Sequence, residues 1–125
     1  MTENQIGNKI VRAAIQVHRN TGPGLLESTY QACLEYELKR FGLCTEKEVA
    51  LPVIYEDVKL DCGYRIDLLI EQKVIIEIKS VDSLNDIHMA QILTYLKLSD
   101  NKLGYLLNFN VPLMKDGIRR IANNL

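Results

Sequence analysis

Between Gly63 and Ser80 the chain reads GYRIDLLIEQKVIIEIKS, two runs of buried-strand character separated by a polar Glu71-Gln72-Lys73 break. Asp67, Glu77 and Lys79 are embedded in those runs. Burying a charge costs several kcal/mol per ion (on the order of the effective penalties measured in proteins) unless a partner or a metal compensates. Strand formation alone asks for no Glu and Lys around Ile76, Ile78 and Val81. Two carboxylates and an ammonium on rigid strands suit a hard divalent cation and an activated water. The competing reading is a buried Lys–Glu pair with no chemistry.

Register decides between them, because side chains alternate faces along a strand. A two-residue loop at Glu71-Gln72 pairs residue 70 with 73 and sends the two acids to opposite faces. A three-residue loop at 71–73 pairs 70 with 74 and sets Asp67 opposite Glu77. A shared ion therefore requires an odd loop or a bulge. Lys79 shares the face of Glu77 in either case.

The rest of the chain predicts what surrounds this hairpin. With 125 residues and 47% hydrophobic content, one domain over 1–125 with its own core is expected. The net charge of −1 lacks the basic excess of a strong, general DNA binder. Cys33, Cys44 and Cys62 form no CxxC pair and no even set, so reduced thiols are expected rather than disulfides or zinc. The polar start and the lack of a long apolar run predict a soluble, cytoplasmic protein without membrane association.

Thr2 with Gln5 resembles a capping box, and Ile6, Ile10, Ala13, Ala14 and Val17 predict a first helix to His18 or Arg19. Thr21-Gly-Pro-Gly24 breaks it. A second helix is expected over about 25–41, with Gly42 as its stop. Residues 44–60 read as strand with a turn at Glu56-Asp57, and strands follow over 64–70 and 74–79. Ser83 with Asp86 is the expected cap of a third helix over about 84–98. A strand over 103–109 and a short one within 117–121 complete an α/β sandwich around one mixed sheet.

Outside the hairpin, Glu27 stands in the first turn of the second helix, where the dipole favours a carboxylate anyway. His18 reads as a solvated or capping histidine and Tyr30 as core. Gln91 and Tyr95 lie one turn apart on the third helix, near His88.

Gly24-Leu-Leu-Glu27-Ser-Thr-Tyr30 resembles the signature of the GxxExxY family, a branch of the PD-(D/E)XK nuclease superfamily. The likeness covers nearly the whole chain. It takes in the His18 segment, Arg65-Ile-Asp67, Glu77-Ile-Lys79, His88-Met-Ala-Gln91 with Tyr95, and Asn108-Phe-Asn110. The proline of the "PD" motif is replaced by Ile66. The resemblance implies a restriction-endonuclease-like core, a mixed β-sheet flanked by helices. It implies Asp67 and Glu77 as metal ligands, joined by the Ile78 carbonyl, with Glu27 as an additional acid and Lys79 as the catalytic lysine. Gln91 and Tyr95 match a Gln-xxx-Tyr motif that contacts substrate, and His18 matches a histidine that joins the metal in some branches. The function implied is a Mg²⁺- or Mn²⁺-dependent nuclease acting on DNA or RNA, with a homodimer left open. The alternative is a non-catalytic nuclease-fold module that binds nucleic acid or a protein.

Overall fold

In the computed structural model, which describes residues 1–125, helix α1 runs Glu3–Thr21. It opens with the capping box foreseen in the sequence: the Thr2 hydroxyl accepts from Gln5 N, and the Gln5 side chain accepts from Thr2 N. Helix α2 spans Glu27–Arg40 and stops at Gly42, whose φ of 80° suits a residue without a Cβ. Helix α3 spans Asp86–Ser99. Its cap is Asn85, not Ser83. The Asn85 side chain accepts from His88 N while His88 Nδ1 accepts from Asn85 N. A histidine replaces the usual Glu or Gln of the box, which hid it in the sequence.

Seven strands follow in order: β1 Thr45–Ala50, β2 Val53–Tyr55, β3 Val58–Leu60, β4 Arg65–Ile70, β5 Val74–Lys79, β6 Leu103–Asn108 and β7 Ile118–Ala122. A short 3-10 turn, Met114–Gly117, precedes the last strand. Five strands form one mixed sheet in the order β1-β4-β5-β6-β7. Only β5 and β6 are parallel, joined over the sheet by α3. The segment expected as strand over 44–60 with a turn at Glu56-Asp57 divides once more than expected. Pro52 interrupts it, and β2–β3 leaves the sheet as a separate ribbon around Glu56-Asp57, both at positive φ. The expected turn is there. Pro52 has no N–H to continue a ladder.

Apolar layers cover both faces of the sheet. Val74, Ile76 and Ile78 of β5 pack with α1 and α2. Ile75 packs with Ile92, Tyr95 and Leu96 of α3. The alternation puts Glu77 and Lys79 on the α3 face. Two helices on one face and one on the other complete the mixed α/β architecture. No helix is long and apolar enough to cross a membrane.

Candidate active site

The hairpin register meets the requirement set by the sequence. Ile70 pairs with Val74, leaving Glu71, Gln72 and Lys73 as the loop, with Glu71 and Gln72 at φ 53° and 59°. The β4–β5 ladder ends at Leu68 and Ile76. Beyond it, side chains take over the backbone hydrogen bonds. Asp67 Oδ2 accepts from Ile78 N at 2.8 Å, and Glu77 Oε1 lies 3.4 Å from Asp67 N. The strands thus fork at this point, and the two acids fill the fork.

The fork is coupled to a change of face in β4. Leu68 and Ile70 face α1 and α2, yet Ile66 joins the α3 layer. Alternation alone would put Ile66 and Leu68 on one side, so β4 twists through Asp67. Opposite it in β1, Glu48 adopts φ 53°, and no pair forms between these two residues although the register is the same on either side. A left-handed non-glycine residue inside a strand is a strained position.

The electrostatics follow from crowding. Glu77 is 6% exposed. Burial, then the charge of Asp67 and a hydrogen bond shared with it, push Glu77 up to about 9. Burial also raises Asp67, opposed chiefly by the hydrogen bond from Ile78. Both acids are therefore held toward their protonated forms, Glu77 the more strongly, and the pair retains a proton at neutral pH. Lys79 is half-buried and its charge favours ionisation of both acids. Its ammonium belongs to none of the ion pairs, which join Glu35–Lys39, Glu37–Arg40 and Asp61–Arg65.

Two residues of α3 border this centre. Gln91 Nε2 donates to the Tyr95 hydroxyl at 3.3 Å. Burial, then the neighbouring charge of Glu77, raises the Tyr95 hydroxyl above its ordinary value, with Asp67 a smaller contributor. Tyr64 meets Tyr95 edge-on with centroids 6.0 Å apart. These rings, Gln91 and Val53 line a recess of about 310 Å³.

Glu27 reaches the same end of β5 from the other face. Its Oε2 accepts from Ser80 N at 3.0 Å, while Ser80 Oγ donates to Leu25 O at 2.8 Å. Tyr30 explains why this loop holds its shape. Fully buried and stacked on Phe109 with centroids 4.5 Å apart, it donates its hydroxyl to Gly22 O and accepts from Leu25 N. Glu27 is thus a latch between α2 and β5 rather than a bystander serving the helix dipole. His18 is buried, and its Nε2 donates to Val111 O at 2.7 Å. No three His, Cys, Asp or Glu side chains gather closely enough to hold an ion together. Glu27 and His18 therefore do not form one cluster with Asp67 and Glu77.

Two contributors escaped the sequence reading, and a third entered it only as part of a motif. Glu48, bonded to Gln31 Nε2 at 2.8 Å, adds negative charge beside Asp67, but in Thr45–Ala50 it looks like any solvent-facing strand residue. Tyr64 had no periodicity to single it out. Asn108, 1% exposed, bonds both Val81 N and Val81 O and so fastens the chain just past Lys79. Its only sequence signal was its place in the Asn108-Phe-Asn110 motif.

The donor set suits a hard divalent cation. Two carboxylates of like charge, their repulsion relieved here by a retained proton, can exchange that proton for an ion bound through oxygen. A search of curated proteins gave no match, and a search of solved structures gave none. The family model of the PD-(D/E)XK nuclease superfamily matches residues 4–121, almost the whole chain and all of the elements that carry the fork. The chain belongs to the PD-(D/E)XK nuclease superfamily.

Proposed function

We propose that the protein is a metal-dependent nuclease whose centre is the Asp67–Glu77 fork, with Lys79 as its cationic partner. The observation that carries this reading is the convergence of two carboxylates, one holding an extra proton, on the face that also bears Lys79. Asp67 and Glu77 would hold Mg²⁺ or Mn²⁺ through oxygen, with the Ile78 carbonyl between Glu77 and Lys79 as a further ligand. A cation bound there supplies Lewis acidity toward a phosphodiester and lowers the pKa of a bound water.

The chain's own groups do the rest. Glu77 gives up its proton on taking the ligand role. Lys79 stabilises charge on a phosphate oxygen or orients the attacking water. The Gln91–Tyr95 pair orients the phosphate from α3. Glu27, with one carboxylate oxygen on Ser80 N, supports the centre from α2. His18, whose Nε2–H is committed to the Val111 carbonyl outside the acid pair, serves this reading by bracing α1 against the loop after β6 rather than as a ligand. The substrate is nucleic acid, DNA or RNA. Membership of the GxxExxY branch rests on the Gly24, Glu27 and Tyr30 pattern, which the Tyr30 hook and the Glu27 latch make physically intelligible.

One observation favours the second reading, a non-catalytic nuclease-fold module: the acids assemble only in twos. The test is cleavage of single-stranded and duplex DNA and RNA with Mg²⁺ or Mn²⁺, comparing wild type with Asp67→Asn. Metal-dependent cleavage lost in the variant establishes the nuclease. Inert wild-type protein on all four substrates establishes the module.

A further inference from the structure

The outer surface of the α1–α2 pair carries a recess of about 600 Å³, nearly twice that beside Tyr95. Arg12, Gln16 and Arg19 line it from α1, at the spacing that places side chains on one helical stripe. Arg40 and Phe41 line it from the end of α2. Its only acid is Glu37, which is buried and bonded to Arg40 at 3.3 Å. Arg12 and Arg19 have no carboxylate partner. The recess therefore carries two uncompensated guanidinium charges in a chain whose net charge is −1.

The arrangement is organised rather than loose. The Arg12 guanidinium stands over the Phe41 ring at 5.6 Å, and Glu37 tethers Arg40. A guanidinium held this way keeps planar N–H forks for an anion and loses less freedom on binding it. Arg40 also lies 5.5 Å from the ring of Tyr36, which is 62% exposed. Tyr36 and Glu37 continue into an adjoining recess of about 310 Å³. Cations alternating with an exposed aromatic ring match the chemistry of a nucleic-acid strand, phosphates on the arginines and a base on the ring.

We propose that the α1–α2 recess binds the phosphate groups of a single nucleic-acid strand through Arg12, Arg19 and Arg40, apart from the Asp67–Glu77 centre. The identity of the strand rests on the nuclease reading; the demand for a phosphate rests on the guanidinium cluster alone. The site lies on the helices covering the opposite face from Glu77 and Lys79, so it would hold a strand beyond the point of cleavage and act on affinity rather than on turnover.

The test is anisotropy of short fluorescein-labelled DNA and RNA strands in EDTA over a range of salt, with inorganic tripolyphosphate as competitor. Arg12→Gln with Arg19→Gln is compared with a charge-matched control, Lys97→Gln with Lys102→Gln, and thermal melting checks each fold. The arginine pair should weaken strand binding about tenfold and reduce the salt slope by about 1.4, or 0.7 per lost phosphate contact on a single strand. Tyr36→Ala should weaken it further. Affinity and slope equal to those of the lysine control overturn the proposal, as does tripolyphosphate binding wild type as tightly as the strands. Hydrolysis of bis(p-nitrophenyl) phosphate with Mn²⁺, a substrate too small to reach the recess, separates the two readings. Hydrolysis retained with arginine-independent binding removes the recess and keeps the nuclease. No hydrolysis with arginine-dependent strand binding removes the nuclease and keeps the recess.

Discussion

Asp67 and Glu77 exchange support across the fork: the Asp67 N–H faces Glu77 Oε1 at 3.4 Å, and the Asp67 carboxylate holds Ile78 N–H, the amide directly after Glu77. Each acid is thereby positioned by the other's strand, so neither side chain can be altered without loosening the other.

This mutual arrangement makes stability depend on pH. The folded state keeps the Glu77 proton up to about 9, whereas the unfolded chain releases it near 4.5. Between those values the native state binds more protons, so stability falls as pH rises, by up to about 1.4 kcal/mol per pH unit for one proton. Urea unfolding of metal-free protein from pH 5 to 9 should show this decline. Glu77→Gln should flatten it and gain relative to wild type toward the alkaline end. A wild-type slope that rises with pH in this window would contradict the shared-proton pair.

Divalent cation and proton compete for the same oxygens. Mn²⁺ or Mg²⁺ should therefore raise the melting temperature of wild type, by about 2.7 kcal/mol of stability at one hundred times Kd. Calorimetry in buffers of different ionisation enthalpy should detect proton release on binding. Asp67→Asn should abolish both effects. Unchanged melting at saturating metal would shift the balance to the non-catalytic module.

Catalysis should divide the centre by role. Asp67→Asn and Glu77→Gln should remove metal-dependent cleavage altogether. Lys79→Ala should lower kcat by about a hundredfold to a thousandfold, the range for losing one charge-stabilising donor, while leaving metal affinity in place. Tyr95→Phe preserves the packing against Tyr64 and removes only the hydroxyl, so any change in KM locates that hydroxyl at the substrate. If Lys79→Ala cleaves at the wild-type rate, the lysine has no catalytic role.

The latch and the hook behind the Gly24-to-Tyr30 loop should separate in the same way. Glu27→Gln keeps an acceptor for Ser80 N and should change stability by less than about 1 kcal/mol. Tyr30→Phe deprives Leu25 N of its acceptor and should destabilise by about 1–3 kcal/mol. Denaturant titrations of both variants check this, and a larger loss for Glu27→Gln would reverse the assignment.

Gly117 supplies a test of the far wall. A Cβ there would collide with the main-chain carbonyl of Asn108, the residue whose side chain grips Val81. Gly117→Ala should destabilise by about 1–3 kcal/mol, as overpacking does. Because the obstacle is backbone and cannot rotate away, activity should fall along with stability. Wild-type melting in this variant would show that the turn relaxes freely.

Much of this was legible because the signals were local. The β4–β5 loop could be reasoned from the spacing of Asp67 and Glu77, and the capping box of α1 from Thr2 and Gln5. What failed depended on partners distant in sequence. Val53–Tyr55 and Val58–Leu60 have strand-like composition, but nothing within them says that they pair only with each other. Glu48 takes its meaning from the twist of β4, which no periodicity encodes. Glu27 could be assigned to its helix dipole, yet its bond to Ser80 spans more than fifty residues. The cap of α3 was misplaced by two residues because His88 does work that a glutamate or glutamine usually does.

The β2–β3 ribbon has a dynamic consequence. Isolated two-stranded hairpins are marginal in water, and this one exposes Ile54, Tyr55 and Val58 while sharing no ladder with the main sheet. Its amides should exchange with solvent far sooner than those of β5 and β6, by local opening that leaves the rest of the molecule protected. Since Val53 borders the recess beside Tyr95, the mouth on that side can fluctuate in width at little energetic expense, while Glu77 stays fixed on β5 by its pairing with Leu106 of β6.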